Sequence, residues 1–283
     1  MKTRTFPEHN YRALYANGRT WRIALDPSKP IGELRYPEFY DVKVTSHCPG
    51  ACPYCYQGST AAAQHHRGIV ARFRQFFGRL DQNQLPFQIA FGGGEPTTHP
   101  EFANLVLECK DIGIVPNYTT NGWWIVDEEI SKFVLAYTKH CGGVAASAHS
   151  HLDTEWKAAT SVLVANDVHT NLHVIISDDA SVDRFIDIYR EFAGKVRYFV
   201  LLPMASQGRS LTAFSPSTWK YLCQRVDGSP HDIAFGAGFH PYLAKDRGRF
   251  DVSIYEPECM SAYLDLETMR VFRSSFSSEE RAI

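Results

Sequence analysis

Cys48-Pro49-Gly50-Ala51-Cys52-Pro53-Tyr54-Cys55 places three thiols within one short, turn-rich segment. Pro and Gly favour a turn in which three sulfurs point at one centre. Thiolates are soft ligands that suit an iron–sulfur cluster or a zinc ion. A structural zinc site needs a fourth ligand, for which His65 and His66 are candidates. A cubane cluster held by three cysteines instead keeps one iron with an open coordination site.

Strands and helices alternate on the C-terminal side of this segment and just before it. Residues 41–45 form a first predicted strand, and apolar periodicity predicts a helix over residues 61–80. Five more strand–helix pairs follow, with strands near 87–91, 114–120, 143–148, 172–177 and 196–202 and helices near 100–111, 127–140, 153–166, 181–192 and 216–225. Such alternation predicts an α/β fold with a parallel sheet covered by helices. Six units favour a partial (β/α)6 barrel.

The two ends of the chain differ from this central series. Asn17-Gly18 between two aromatic, β-prone runs predicts an N-terminal hairpin within an entry segment of residues 1–40. The barrel is assigned to residues 41–227. Residues 228–283 are predicted to form a small C-terminal cap on the open end of the barrel, with a hairpin around Glu267-Thr268.

Composition narrows the class of protein. The chain has 283 residues, a formal net charge of -2 and seven cysteines. A near-neutral balance argues against a broad nucleic-acid surface, so a nucleic-acid partner is not expected. The absence of a bilayer-length apolar run or a leader-like N-terminus argues against a membrane partner. An odd cysteine count with three thiols at ligand spacing fits a reducing, cytoplasmic setting.

A second motif lies one strand–helix unit after the cysteines. Gly92-Gly93-Gly94-Glu95-Pro96 follows the second predicted strand, where a lone glycine run would indicate a tight strand-to-helix turn. Together, the Cys48-x3-Cys52-x2-Cys55 spacing, the aromatic Tyr54 and this glycine motif resemble the radical S-adenosylmethionine (radical SAM) superfamily. The resemblance covers roughly residues 36–210, with looser similarity to peptide-modifying members in the tail.

The resemblance implies a cofactor and a reaction. In that superfamily the three cysteines hold one [4Fe–4S] cluster, so Cys48, Cys52 and Cys55 are its expected ligands here. The open iron binds the amino and carboxylate groups of S-adenosylmethionine. One electron, supplied by a donor such as flavodoxin or ferredoxin, then cleaves the cofactor to a 5′-deoxyadenosyl radical that abstracts hydrogen from a substrate.

The resemblance also implies cofactor contacts at the ends of the strands. Gly93 and Gly94 would let the backbone approach the methionyl group, and Glu95 would offset its ammonium charge. Arg209 suits a carboxylate of cofactor or substrate, with a surface ion pair as the alternative. Turn or cap roles stay open for the polar residues at strand ends, including His149. The full predicted set is Tyr54, Gly93, Gly94, Glu95, Thr119, Asn121, Ser147, Ser177, Leu202 and Arg209.

The remaining cysteines bear on substrate and mechanism. Cys109 and Cys141 are expected to be buried structural thiols, and with only Cys223 and Cys259 in the tail a second cluster is not expected. Cys259 is either a hydrogen-atom donor to a substrate radical or a quiet apolar thiol.

A peptide or protein is the leading substrate hypothesis, because the tail resembles that of peptide maturases. The alternative substrate is a nucleoside, sugar or other small metabolite. If the protein is not an enzyme, the alternative function is that of a non-catalytic iron–sulfur binding module.

Overall fold

The computed structural model describes residues 1–226, 231–246, 249–250 and 257–282. The strands are β1 (Lys2–Phe6), β2 (Tyr11–Ala16), β3 (Arg19–Ala24), β4 (Phe39–Thr45), β5 (Gln88–Gly93), β6 (Val115–Thr120), β7 (Gly143–Ser147), β8 (Thr170–Ile176), β9 (Tyr198–Pro203), β10 (Ile233–Phe235), β11 (Ser261–Asp265) and β12 (Arg270–Phe272). The helices are α1 (Ile69–Phe77), α2 (Phe102–Asp111), α3 (Glu128–Thr138), α4 (Asp153–Ala165), α5 (Asp179–Phe192), α6 (Pro216–Arg225), α7 (His240–Lys245) and α8 (Pro257–Met260).

The main sheet has the strand order β10-β9-β8-β7-β6-β5-β4-β11-β12. Strands β4 to β10 run parallel to their neighbours, and helices α1 to α6 follow β4 to β9 in turn. This is the predicted α/β fold with six strand–helix units, so the fold class is confirmed. The boundary predicted between the barrel and the C-terminal cap, at residues 227 and 228, lies outside the described residues.

The two faces of the sheet have different chemistry, because successive strand residues point to opposite sides. On one face Val42, Phe91 and Tyr118 stand side by side and pack in the apolar cluster that also holds helix residues. On the opposite face, which we call the inner face, Asp41 and Asn117 lie in the neighbouring register. The helices therefore cover one side of the sheet, and polar residues line the other.

The N-terminal hairpin is present and belongs to a three-stranded antiparallel sheet, β1-β2-β3. Its turn has positive φ at Asn17 (50°) and Gly18 (73°), as a two-residue turn that matches strand twist requires. The sheet packs on Phe87 and Met260, which directly precede β5 and β11. It therefore lies at the N-terminal ends of the main strands, away from the cysteine segment.

Helix α1 is shorter than the predicted span of residues 61–80. Residues 61–68 are turns and irregular backbone, and Gly68 has φ 77° immediately before the helix begins at Ile69. The Gly68 N–H donates to Glu101 Oε1 at 2.6 Å, which fixes the entry of the chain into the helix. The helical periodicity identified the apolar face of α1 correctly. It contains no signal for the left-handed Gly68 that precedes the first helical residue.

The C-terminal hairpin forms where the sequence predicts it, but its position differs from a cap on the open end. Strand β11 pairs in parallel with β4, and β12 pairs antiparallel with β11, so both strands extend the edge of the main sheet. Because β11 is parallel to β4, its final residue Asp265 lies beside Lys43, close to the cysteine segment. The turn of the hairpin, rather than its strands, reaches the mouth of the barrel.

Candidate active site

The three-cysteine segment begins directly after β4, at the C-terminal edge of the parallel sheet, where folds of this kind place their sites. Asn121, just after β6, is buried and donates from Nδ2 to Cys48 Sγ at 3.6 Å. The Gly50 N–H donates to the same sulfur at 3.4 Å. Two N–H groups aimed at one sulfur stabilise negative charge on it, as a thiolate ligand requires.

The three thiols lie close enough together that the charge on one affects the protonation of another. Burial is the main cause that raises the pKa of Cys48 to about 11 and of Cys52 to about 12, and charge on Cys55 adds to both. Among the described residues, no group of three or more His, Cys, Asp or Glu side chains is positioned to hold a metal ion. The donor set itself, three thiols beside N–H donors, fits an iron–sulfur cluster chemically.

The proposed histidine ligands of a zinc site point elsewhere. His66 Nε2 lies 2.9 Å from an Arg72 guanidinium nitrogen, so its lone pair accepts a hydrogen bond from a permanent donor. His65 Nδ1 lies 3.0 Å from Thr45 Oγ1, and its ring packs against His47 and His99. These contacts engage both imidazoles with groups other than the cysteines and argue against the zinc alternative.

The glycine motif packs against the cysteine segment. A Cβ at Gly93, whose φ is 106°, would lie 2.7 Å from the Thr45 carbonyl oxygen, and one at Gly94 would collide with the His47 carbonyl. Gly94 N–H donates to Thr45 O at 2.6 Å. A Cβ at Gly92 would meet nothing within 4 Å. The approach that Gly93 and Gly94 permit is therefore to β4 and the segment after it, and only Gly92 faces open space.

Glu95 joins the ends of two strands. It is 1% exposed, and its carboxylate accepts from Thr97 Oγ1 at 2.6 Å and from the Asn121 N–H at 2.7 Å. Desolvation dominates these bonds and raises the pKa of Glu95 to about 7. Glu95 thus positions Asn121, which in turn contacts Cys48. This gives the carboxylate a structural task besides the predicted charge pairing with a bound ammonium.

Two contacts tie the segment after β7 to the cysteine segment. The Tyr54 hydroxyl lies 3.0 Å from His149 Nδ1, and His151 Nε2 donates to the Gly50 carbonyl at 2.8 Å. Burial lowers the pKa of His149 to about 4, so its bond to Tyr54 joins two neutral groups near neutral pH. Tyr54 therefore acts here as an anchor of the segment, and His149 is its partner.

A cleft of about 440 Å³ brings together side chains from three parts of the sequence. Tyr54, Ser177 and Arg209 of the predicted set line it, with Met204 after β9. The alternative role of Ser177 as a helix cap is wrong, because Asp178 caps α5 and accepts from the Ser181 N–H at 2.8 Å. The cleft lies beside the cysteine segment and has the size of a small-molecule site.

Arg209 is engaged by the backbone of the cysteine segment. It donates from Nε to Cys52 O and from Nη1 to Ser59 O, both at 2.9 Å, and its own N–H donates to Cys55 O at 3.0 Å. These bonds replace the surface ion pair given as an alternative. Gly208, with φ 62°, packs so closely on the cysteine segment that a Cβ would collide with the Cys55 carbonyl oxygen. Sequence reasoning missed this role, although Gly before Arg in a loop signals a close approach.

The other predicted strand-end residues lie at the same edge of the sheet. Thr119 and Ser147 are half-buried at the ends of β6 and β7. Leu202, near the end of β9, packs on Gly236, where a Cβ would collide with it. Their contacts with a cofactor remain predictions.

Cys259 lies at the other end of the sheet. It packs with the N-terminal sheet near Leu34, and its carbonyl accepts from the Leu34 N–H at 2.9 Å. Ser261, two residues later, pairs with Phe39 at the start of β4, whereas the cysteine segment follows the end of β4. With about 3.3 Å per strand residue, roughly 20 Å of β4 separates the two. This placement argues against the predicted role as hydrogen-atom donor.

An ion-pair network at the mouth of the barrel was not predicted. Lys43 Nζ lies 3.2 Å from Asp265 Oδ2 and 2.8 Å from Glu267 Oε2, all largely buried. Glu267 also accepts from Ser46 Oγ at 2.6 Å, just before the first cysteine. The alternation of β4 places Lys43 on the inner face, but its partners come from more than two hundred residues away, so no local pattern signals the network.

Comparisons with known proteins agree with this geometry. Residues 42–140 match the family model of the radical SAM superfamily. Streptococcus suis SuiB bound to its precursor peptide SuiA has a similar fold (TM-score 0.63, 13% identity, 85% of this chain and 60% of that one). SuiB bound to S-adenosylmethionine gives a TM-score of 0.62 at 12% identity, over 88% and 64% of the two chains. The AdoMet-bound anSMEcpe gives 0.59 at 16%, over 86% and 75%.

The match to the radical SAM superfamily model is confined to residues 42–140, the part of the chain that holds the three cysteines, the glycine motif and strands β5 and β6. The chain spans 60 to 64% of the length of the SuiB structures, and at these identities the likeness to SuiB concerns the fold. No helix in the described part of the chain is long and apolar enough to cross a membrane.

Proposed function

We propose that Cys48, Cys52 and Cys55 bind one [4Fe–4S] cluster and that S-adenosylmethionine binds beside it, in the cleft lined by Tyr54 and Ser177. When bound, the cluster and the cofactor would supply reductive radical chemistry that removes a hydrogen atom from the substrate and leaves methionine and 5′-deoxyadenosine. The observation that carries the proposal is the pair of N–H groups, from Gly50 and Asn121, that donate to Cys48 Sγ at the C-terminal edge of the sheet. These residues lie within the segment that matches the family model.

The protein's own residues hold this arrangement in place. Asn121 and Gly50 direct N–H groups at Cys48, Arg209 holds the backbone carbonyl of Cys52, and Glu95 fixes the Asn121 backbone. Such contacts orient the ligands and set how readily the cluster accepts an electron. The immediate electron donor in the cell is a flavodoxin- or ferredoxin-type protein.

The proposed substrate class is a peptide or protein, modified as in maturases by epimerisation or cross-linking. Two observations support it. The tail continues the main sheet through β11 and β12, and the fold is similar to a SuiB structure that holds a precursor peptide. A small-molecule substrate would require the same cofactor chemistry, so the test below addresses the cofactor reaction first.

The experiment is anaerobic reconstitution with iron and sulfide, followed by dithionite and S-adenosylmethionine. We expect about four irons per chain, the broad visible absorption of a [4Fe–4S] cluster and formation of 5′-deoxyadenosine. Replacing Cys52 with Ala should abolish both cluster and product. Cys141→Ala is the matched control, because that thiol lies at the opposite edge of the sheet, just before β7 begins.

Two results would contradict the proposal. One is a wild-type protein that takes up the cluster but releases no 5′-deoxyadenosine, which would leave only the iron–sulfur binding module. The other is equal loss of iron in the Cys52 and Cys141 variants, which would place the cluster elsewhere. Incubating the active enzyme with synthetic peptides then tests the substrate class by a mass change in the peptide.

A further inference from the structure

Strand β4 leaves its regular pairing shortly before the cysteine segment begins. Lys43 pairs with Gly92 of β5. Thr45, two residues later, pairs with Gly93, the next residue of β5, so β4 carries one residue more than its partner. Such a β-bulge bends a strand and re-aims the residues that follow it. Cys48 follows this bulge after three residues, so the position of its thiol depends on how the bulge is held.

Glu267 contacts the chain on both sides of the bulge. Its Oε1 accepts from the Ser46 N–H at 3.1 Å, and its Oε2 accepts from the Ser46 hydroxyl at 2.6 Å. The same Oε2 lies 2.8 Å from Lys43 Nζ. One carboxylate therefore joins the residue before the irregular stretch to the residue after it. The Glu267 side chain is only 14% exposed, and hydrogen bonds to a charged acceptor that is shielded from water are stronger than neutral ones.

The turn that carries Glu267 is itself fixed from two directions. Its N–H donates to Asp265 Oδ1 at 2.8 Å. Arg72 of α1 donates from Nη1 to the carbonyls of Leu266 and Glu267, at 3.0 and 2.7 Å. The Leu266 N–H donates to Lys43 O at 3.1 Å, which continues the pairing of the tail with β4. Because a helix and a strand both hold this turn, the Glu267 carboxylate is a fixed support for the bulge.

We propose that Glu267 is a positioning residue for the cysteine segment, which fixes the path of the chain from β4 to Cys48 and so holds that thiol in place for a cluster. It acts through Ser46, two residues before the thiol. The inference rests on the proposed function, since cluster binding is what a displaced Cys48 would impair. It deepens that function by giving the tail a part in the cofactor site.

The test measures how fast iodoacetamide alkylates each cysteine of the iron-free protein, after removal of reductant under argon, by mass spectrometry of the peptides. Local opening of a segment exposes its thiol to the reagent. Glu267→Ala removes both bonds to Ser46, while Asp265 still pairs with Lys43. Since two bonds to a charged acceptor are lost, we expect alkylation of Cys48 to become at least about tenfold faster.

Internal and matched controls separate positioning from general loosening of the fold. The rate at Cys141, just before β7, should stay within about twofold of wild type in the same protein. Glu280→Gln, which changes a half-exposed carboxylate of the same tail paired with Arg270, should leave the Cys48 rate unchanged. Glu267→Gln keeps an acceptor oxygen without the charge and should give a rate between wild type and Glu267→Ala.

Ser46→Ala is the milder variant, because it removes only the hydroxyl bond and keeps the N–H bond. It should accelerate alkylation of Cys48 less than Glu267→Ala does, and it carries the test if Glu267→Ala does not fold. The double variant should react no faster than Glu267→Ala alone, since both residues act through one contact. Additive effects of the two changes would contradict this coupling and overturn the proposal.

An unchanged rate at Cys48 in Glu267→Ala also overturns the proposal, as does an equal acceleration at Cys48 and Cys141. After reconstitution, Glu267→Ala should lose iron to EDTA at least about tenfold faster than Glu280→Gln, and equal rates of loss would count against a part in the cofactor site. A wild-type protein that takes up no cluster contradicts the proposed function instead, and the alkylation rates then still report on Glu267.

Discussion

Gly94 and Gly92 lie two residues apart in one motif, and the structure gives them opposite tasks. A methyl group on Gly94 would collide with the carbonyl oxygen of His47 and lie 2.7 Å from its carbonyl carbon and 3.1 Å from the carbonyl carbon of Ser46. These are backbone atoms, which cannot rotate away. A methyl group on Gly92 would occupy open space. Alanine substitutions at the two positions therefore separate packing from cofactor approach.

The cost at Gly94 follows from the contacts it would break. Restoring an ordinary carbon–oxygen distance requires the chain at His47 to move by more than about 1 Å, because the carbonyl oxygen is the nearest atom. That shift weakens two backbone hydrogen bonds, Gly94 N–H to Thr45 O at 2.6 Å and Glu95 N–H to His47 O at 2.8 Å. With about 1 kcal/mol per bond and a similar cost for overpacking, Gly94→Ala should destabilise by about 3 kcal/mol. For a chain of this size the unfolding midpoint then falls by about 5 °C.

The assay is thermal and denaturant unfolding of the iron-free protein, with S-adenosylmethionine binding measured after reconstitution. Gly92→Ala should unfold within about 1 kcal/mol of wild type, because its backbone conformation suits alanine. It should nevertheless weaken cofactor binding if Gly92 borders the methionyl group. A Gly94→Ala protein as stable as wild type would refute the packing role, and the reverse order of stabilities would refute the placement of both residues.

Two further predictions concern charge and distance. The pKa of Glu95 is raised from 4.5 to about 7, so between these pH values the unfolded chain releases a proton that the folded chain keeps. The free energy of unfolding should therefore fall by about 3 kcal/mol between pH 4.5 and 7. Glu95→Gln should flatten that decline in denaturant titrations, and an equal slope in both proteins would contradict the assignment. Cys259→Ala should leave the yields of 5′-deoxyadenosine and of product within about twofold of wild type, because the thiol packs at the N-terminal end of the sheet. A strong loss of product with intact cofactor cleavage would instead support the role of Cys259 as hydrogen-atom donor.

The fold was predictable because local and global signals agree along most of the chain. Each strand–helix pair is visible in the sequence as an apolar run followed by helical periodicity. Asn17-Gly18 favours a turn independently of the rest of the protein. The failure at residues 61–68 has a local cause. The predicted helix began too early, because the left-handed Gly68 and its bond to Glu101 set the start of α1 at Ile69. Tertiary contact decided that boundary.

The candidate site was predictable in part for a different reason. Cysteine spacing and the glycine motif are short, so one segment of sequence contains the whole signal. The residues that hold the motif in position are dispersed. Arg209 supports Cys52 from a loop after β9, and Glu267 reaches Ser46 from the tail. Their side chains look ordinary in sequence, and only the closure of the sheet brings them to one place.

The parallel pairing of β11 with β4 determines which tail residues can affect chemistry. Alternation places Tyr263 and Asp265 on the inner face, beside Asp41 and Lys43, and the following turn carries Glu267 to the mouth of the barrel. Cys259, only four residues before Tyr263, remains at the closed end with the N-terminal sheet. If the tail were a separate cap, every residue in it would be an equal candidate for a role in the chemistry. A tail built into the sheet directs only one face of β11 to the inner side of the sheet, and that face bears Tyr263 rather than a thiol.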